Sequence, residues 1–257
     1  IISMQCEFKL PNGKEVITRE FLFKDTRQFF HESSPEHNLN RLEDFIITEN
    51  LNVVEKFITL LYLRERCLKK TFNININGTD KDVGIDLVIK NFDEIIDIRE
   101  EKEVGDLKLV LDYPSKFLVN TNNIFSLIKE IKIGDDFIDL SNVSDQELID
   151  ITNNLPTDVS KVIDQFIKNH HALEYNLIPN NSDYEINFLN SSPFYFLQNL
   201  FNCINEYAYR EYIFVLSKRI RDVSFLLNST FTDILDYMDL YIRENEEQSD
   251  KVAKLDN

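Results

Sequence analysis

Residues 53–89 read VVEKFITLLYLRERCLKKTFNININGTDKDVGIDLVI, and the change of period inside this stretch decides the fold. Val53, Phe57, Leu60 and Leu61 fall at the i, i+4, i+7, i+8 spacing of one buried helical face, which predicts a helix over 53–67. The period then drops to two. Phe72, Ile74 and Ile76 point to one side and Asn73, Asn75 and Asn77 to the other, as in a half-buried strand. Asn77-Gly78 supplies the positive φ angles of a tight turn, and Val83, Ile85 and Leu87 then carry the return strand of a hairpin over 72–89. The same unit occurs again. A helix over 158–170 runs into Leu173, Tyr175 and Leu177, a tip of Pro179-Asn180-Asn181-Ser182, and Tyr184, Ile186 and Phe188. Two helix-plus-hairpin units predict an α+β fold.

Outward from these units, the amino-terminal segment reads as a strand pair. Cys6, Phe8 and Leu10 alternate with polar residues, Asn12-Gly13 makes the turn, and 16–23 returns. Short helical stretches are expected over 25–31 and 42–47. A further strand pair is read at 95–98 and 107–113, ended by Pro114, which has no N–H to donate; Glu100-Glu101-Lys102-Glu103 between them reads as a solvated loop. From Asn120 the chain reads as mainly helical. Ser144-Asp145-Gln146-Glu147 has capping-box spacing, Pro156 separates two helices, and Ser192-Pro193 opens an aromatic helix over 194–201. Residues 206–244 read as two helices that break at Asn228-Ser229-Thr230, with a fraying polar tail beyond. The resulting division is 1–119, an α+β region with the first unit, and 120–257, a mainly helical region with the second unit and an all-helical last third.

Composition narrows the function. The chain has 257 residues, long enough to bury a core without disulfides. Its net charge is −17, from 28 Lys and Arg against 45 Asp and Glu, which opposes nucleic-acid binding, where a basic face must displace counterions. Lys218-Arg219-Ile220-Arg221 reads as a solvated basic helix end. No stretch approaches the ~20 apolar residues of a membrane span, and Ile1-Ile2-Ser3-Met4 lacks the basic start of a signal peptide. Three well-separated cysteines, Cys6, Cys67 and Cys203, fit a reducing compartment.

Catalytic signatures are missing from the sequence. No phosphate-cradling glycine loop, nucleophile elbow or paired-histidine metal motif occurs. His170-His171 reads as a solvated helix end, Cys67 as a small buried hydrophobe, and Gly134-Asp135-Asp136 lacks the alternating oxygens of a calcium loop. Because no Cys or His ligands cluster along the chain, no metal and no cofactor are expected.

Taken in order, four stretches resemble the baseplate hub assembly protein family of T-even-like contractile-tailed bacteriophages. They are 8–16 with 21–24; Leu61 to Arg64 with the first hairpin and Gly84-Ile85-Asp86-Leu87; Leu155-Pro156 through Phe166 with 173–201; and 206–242. Members of that family often carry cysteine pairs at hairpin tips, whereas both tips here lack cysteine. The resemblance implies a non-catalytic assembly factor or minor structural subunit. Its partners would be other phage tail proteins, hub or tape-measure components. It would act in the bacterial host cytoplasm, with the virion tail baseplate as the other location. Neither nucleic acid nor membrane is expected as a partner, and the oligomeric state is left open. The partner-binding face is expected in the last third, where Phe194, Phe201, Tyr207, Tyr209, Tyr212 and Tyr241 supply aromatics suited to interface centres. A protein-binding module or chaperone unrelated to phage tails is the alternative, followed by an enzyme whose site assembles only in three dimensions, marked by a deep cleft joining His to carboxylates.

Overall fold

The structure is a computed structural model that describes residues 5–29, 35–76, 78–119, 123–141, 143–178 and 181–255. Ile1-Ile2-Ser3-Met4, Asn77 of the first turn and Pro179-Asn180 of the second tip lie outside the described residues. The fold is α+β, about 48% helix and 22% strand, with small antiparallel sheets.

β1 (Gln5–Lys9) and β2 (Glu15–Arg19) form the first hairpin, with Phe8 opposite Val16. Its turn holds Gly13 at φ 85°, a left-handed conformation that glycine adopts without strain. The return strand ends at Arg19, and a 3-10 segment, Phe23–Phe29, takes over. The cause is visible: Asp25 Oδ2 accepts from Leu22 N at 2.9 Å and from Arg19 Nη1 at 3.0 Å, so a buried carboxylate caps the turn. α1 spans Pro35–Glu43 and therefore includes the polar stretch that precedes the apolar residues 42–47 expected to be helical.

α2 (Val53–Cys67) runs over the expected residues. Asn52 caps it: Asn52 Oδ1 accepts from Glu55 N at 2.9 Å while Glu55 Oε2 accepts from Asn52 N at 3.0 Å. Glu55 also takes Asn12 Nδ2 at 3.0 Å and Lys14 Nζ at 3.2 Å, which docks the first hairpin turn on the amino end of α2.

β3 (Thr71–Ile76) and β4 (Thr79–Gly84) form the next hairpin, in the register that puts Phe72 opposite Val83 and Asn75 opposite Asp80. The return strand stops at Gly84, and Ile85–Ile89, expected as strand, is a short helix, α3. Its alternating apolar residues mimic a strand, but Ile85 and Val88 are both fully buried, the i, i+3 pair of a helix.

β5 (Glu100–Val104), β6 (Leu107–Leu111), β7 (Ile128–Ile133) and β8 (Asp136–Asp139) build a four-stranded antiparallel sheet in that order. Two expectations change here. The partner of β6 is the charged run 100–104, read as loop, and not 95–98. Past residue 120 the chain first supplies two more strands, so the boundary drawn at 119/120 falls between neighbouring strands of one sheet. Charges on β5 are met across the strands: Glu101 pairs with Lys108 at 2.7 Å and with Lys132 at 3.3 Å.

α4 (Asp145–Thr152) carries the capping box of Ser144 and Glu147, and α5 (Asp158–Asn169) follows the Pro156 break. The second hairpin is far shorter than the first: β9 (Glu174–Asn176) pairs with β10 (Glu185–Asn187), Tyr175 opposite Ile186. α6 (Ser192–Phe201) follows it with Pro193 in its first turn. Each unit is thus a helix, a hairpin and a second helix, and α2 packs against both second helices, α3 and α6. Buried Arg64 fastens that seam, donating from Nε to Leu200 O at 2.8 Å and from Nη2 to Thr71 O at 3.3 Å, and from Nη1 to Lys69 O.

The last third is α7 (Glu206–Ser217), α8 (Val223–Leu227) and α9 (Phe231–Leu255). The break at 228–230 is where the sequence puts it. There is a second break at 218–222, and α9 continues through the residues expected to fray. A single apolar cluster runs through the molecule. At its centre Phe57 meets Phe92 at 5.4 Å, Phe188 edge-on at 5.6 Å and Phe196 at 6.1 Å between ring centroids.

Candidate functional site

Helical geometry divides the six aromatics expected at a partner surface. Phe194 and Phe201 on α6 are fully buried, and Phe201 lies 5.3 Å from Phe21 and 6.4 Å from Phe45. Tyr209 on α7 is also buried, stacked on Phe23 at 4.6 Å. These three are core. Tyr207 is 75% exposed, while Tyr212 and Tyr241 are half-buried, Tyr241 with the Arg219 guanidinium 5.3 Å from its ring centre.

At roughly 100° per residue, Tyr209 and Leu216 share the inward stripe of α7, and Tyr207 and Phe214 share a stripe about 200° away. Phe214 is 64% exposed, a residue that sequence reading passed over although its i+7 spacing from Tyr207 was available. α8 and α9, which both pack on α7, add exposed Phe225 and Leu240. Lys218, at the end of α7, sits 4.5 Å over the Phe214 ring, and Arg219 pairs with Glu244 of α9. The basic run 218–221 is thus a solvated helix end, with Lys218, Arg219 and Arg221 exposed and two of them in surface contacts.

A second apolar surface lies on the sheet. β8 is an edge strand exposed along its whole length, with Phe137 and Ile138 outward. Beside it a cavity of about 670 Å³ is lined by Leu107, Ile131, Ile133, Ile138, Ile151 and Leu155, among others. An exposed edge of this kind presents unpaired backbone donors and acceptors as well as side chains.

The charged cleft has a different character. It measures about 620 Å³ and opens between the amino end of α2 and the sheet, with Lys14, Glu43, Glu55, Lys56, Arg99, Asp112 and Lys129 among its lining residues. Several of its charges are paired. Lys56 pairs with Glu43 at 2.8 Å, and Arg99 with Glu130 at 2.9 Å and Asp112 at 3.7 Å. Buried Lys129 donates to Ser115 Oγ at 2.7 Å, and loss of water pushes its ammonium down to about 8. Burial pushes the Asp112 carboxyl up. No histidine lines the cleft.

His170 is placed elsewhere, and not as a solvated helix end: its Nε2 lies 3.0 Å from Glu100 Oε1 and its ring 4.4 Å from that of Phe166, joining α5 to β5. Cys67 is fully buried and its thiol is pushed up to about 12, which suits a core residue and not a nucleophile. The fold does gather one set of metal-capable donors that chain spacing hides: Cys6, Glu20 and Cys67.

Exposed apolar side chains thus stand on α7, α8 and α9 and on the edge strand β8. A family model described as T4 bacteriophage base plate protein matches residues 2–185, more than half of the chain, which therefore belongs to that family. Membership gives it a structural or assembly role in the phage base plate. No curated protein and no solved structure matches it. The matched region ends in β10, so α6 to α9 lie beyond it.

Proposed function

We propose that this chain acts without catalysis in assembly of the base plate hub of a contractile-tailed phage, as an assembly factor or minor structural subunit. On this reading it works in the cytoplasm of the infected bacterium and binds other tail proteins, hub or tape-measure components, through the outer face of α7, α8 and α9. The observation that carries the proposal is that Tyr207 and Phe214, 75% and 64% exposed, stand together on the face of α7 opposite its buried stripe. Burying a large apolar side chain releases about 1.5–3 kcal/mol, and aromatic residues are over-represented among those that dominate interfaces. The net charge of −17 opposes a nucleic-acid partner. Half-buried Tyr241 would border this face, whereas Tyr212, which packs against the core, and buried Phe194, Phe201 and Tyr209 would support it from within.

Deleting the chain from Ser192 onward would strip Phe194, Leu197 and Phe201 from the core, so a truncation cannot separate binding from folding. The direct test is an infection in which the gene is inactivated and replaced in trans by wild type or by the full chain carrying Phe214→Asp. Negative-stain microscopy should show base plates with wild type and their loss without the gene. Normal base plates in its absence would overturn the function. Normal base plates with Phe214→Asp alone would overturn the surface.

A further inference from the structure

Cys6 in β1, Glu20 directly after β2 and Cys67 at the last residue of α2 each offer one donor atom, and the three atoms lie within 4.8 Å of one another. Both cysteines are buried, at 2% and 0% exposure. Glu20 Oε2 is buried with no hydrogen-bond partner among the described residues. A carboxylate oxygen held out of water without a donor is costly, and native proteins rarely leave one so. Charged neighbours that act on Glu20 are Arg66, which favours its anion, and Asp233, which opposes it.

We propose that Cys6, Glu20 and Cys67 bind a divalent cation of the zinc class. Two thiolates with one carboxylate form a soft-to-borderline donor set, which suits zinc and its mimic cobalt and not the all-oxygen preference of calcium or magnesium. With zinc–sulfur bonds of about 2.3 Å and zinc–oxygen bonds of about 2.0–2.2 Å, tetrahedral ligands stand roughly 3.5–3.8 Å apart, so the donors need to close by up to about 1.3 Å. On binding, each thiol gives its proton to solvent and the sulfur electron pair to the metal, with water completing the fourth position. Two thiolates and a carboxylate carry three negative charges, and a divalent ion with the nearby Arg66 balances them. The site lies at neither hairpin tip. It would tie the first hairpin to the carboxyl end of α2, so occupancy would stabilise the fold.

The test uses the full chain, reduced, stripped with a chelator and titrated with Co²⁺ and then Zn²⁺. One equivalent of Co²⁺ should give a thiolate-to-metal charge-transfer band that Zn²⁺ displaces. Zn²⁺ at a hundredfold excess over its Kd should raise Tm by roughly 5–10 °C. The band should vanish in Cys6→Ser and Cys67→Ser and persist in Cys203→Ser, and Glu20→Gln should weaken binding at least about tenfold. No band in the folded wild type would overturn the proposal. So would a band that survives Cys67→Ser, a band lost in Cys203→Ser, or a Cys6–Cys67 disulfide mapped in place of metal. If the serine variants fail to fold by circular dichroism, wild-type stoichiometry and Glu20→Gln decide the matter.

Discussion

α2 and α7 are both amphipathic by sequence, yet the molecule uses them in opposite ways. α2 buries eleven of its fifteen residues, including Glu55, Thr59 and Arg64, and is enclosed by elements from both helix–hairpin units. α7 buries only Tyr209 and Leu216 of its twelve and leaves Tyr207 and Phe214 in solvent. An apolar residue on α2 therefore stabilises the fold, whereas one on the outer stripe of α7 is free to meet another molecule. Periodicity identifies both helices. What separates them is how many neighbours close around each, and that is a property of the tertiary structure.

Substitutions should expose this contrast, the largest effect first. Phe57→Ala removes a fully buried ring that touches Phe92, Phe188 and Phe196, and should cost about 3–5 kcal/mol in urea unfolding. Phe214→Ala should stay within about 0.5 kcal/mol of wild type in the same assay. Equal losses at the two positions would break the comparison. Arg64→Ala comes next, at about 3 kcal/mol, because it strands the carbonyls of Leu200 and Thr71 at the seam of α2 with α6. Asn52→Ala should cost about 1 kcal/mol by unmaking the α2 capping box, and Asn52→Gly less.

The cleft at the amino end of α2 adds a pH-dependent term. Lys129 has its folded pKa lowered to about 8, against about 10.4 for an unperturbed lysine. Between those values the unfolded chain binds more protons than the folded one, so this group makes stability rise as pH climbs from about 8 towards 10.4. Below about 8 both states hold the proton and the contribution is constant and unfavourable. Urea midpoints across that range should show the rise in wild type and lose it in Lys129→Met. An unchanged slope in the variant would assign the effect to other groups.

These residues also show where sequence reading succeeds. The ends of α2 and the register of β3 with β4 are set locally, by Asn52 and Glu55 at the cap and by the period-two run ending in Asn-Gly. α3 is misread because Val83, Ile85 and Leu87 alternate like a strand while the chain has already turned helical at Ile85. β5 is misread because its side chains are mostly charged; they are met by Lys108 on the adjoining strand and by Lys132, thirty-one residues on. β7 does alternate, Ile128, Glu130 and Lys132 against Ile131 and Ile133 in part, but the helical trend assigned to everything past 120 hides it. The partner aromatics fail for a related reason. Counting tyrosines and phenylalanines does not separate the stripe of Tyr209 from that of Tyr207, which stand two residues apart on opposite sides of one helix. The cysteine–carboxylate cluster has no local signal at all, since positions 6, 20 and 67 meet only when the first hairpin lies beside α2.

The claim that the outer stripe of α7 is a binding surface is tested most directly by full-length protein carrying Tyr207→Asp and Phe214→Asp together. Co-purification of base plate hub proteins from phage-infected cells, identified by mass spectrometry and quantified by titration with the purified partner, should weaken at least about a hundredfold. Thermal unfolding should stay within a few degrees of wild type, because both side chains are exposed. A doubly substituted chain that remains folded and binds the hub proteins as tightly as wild type would contradict the account.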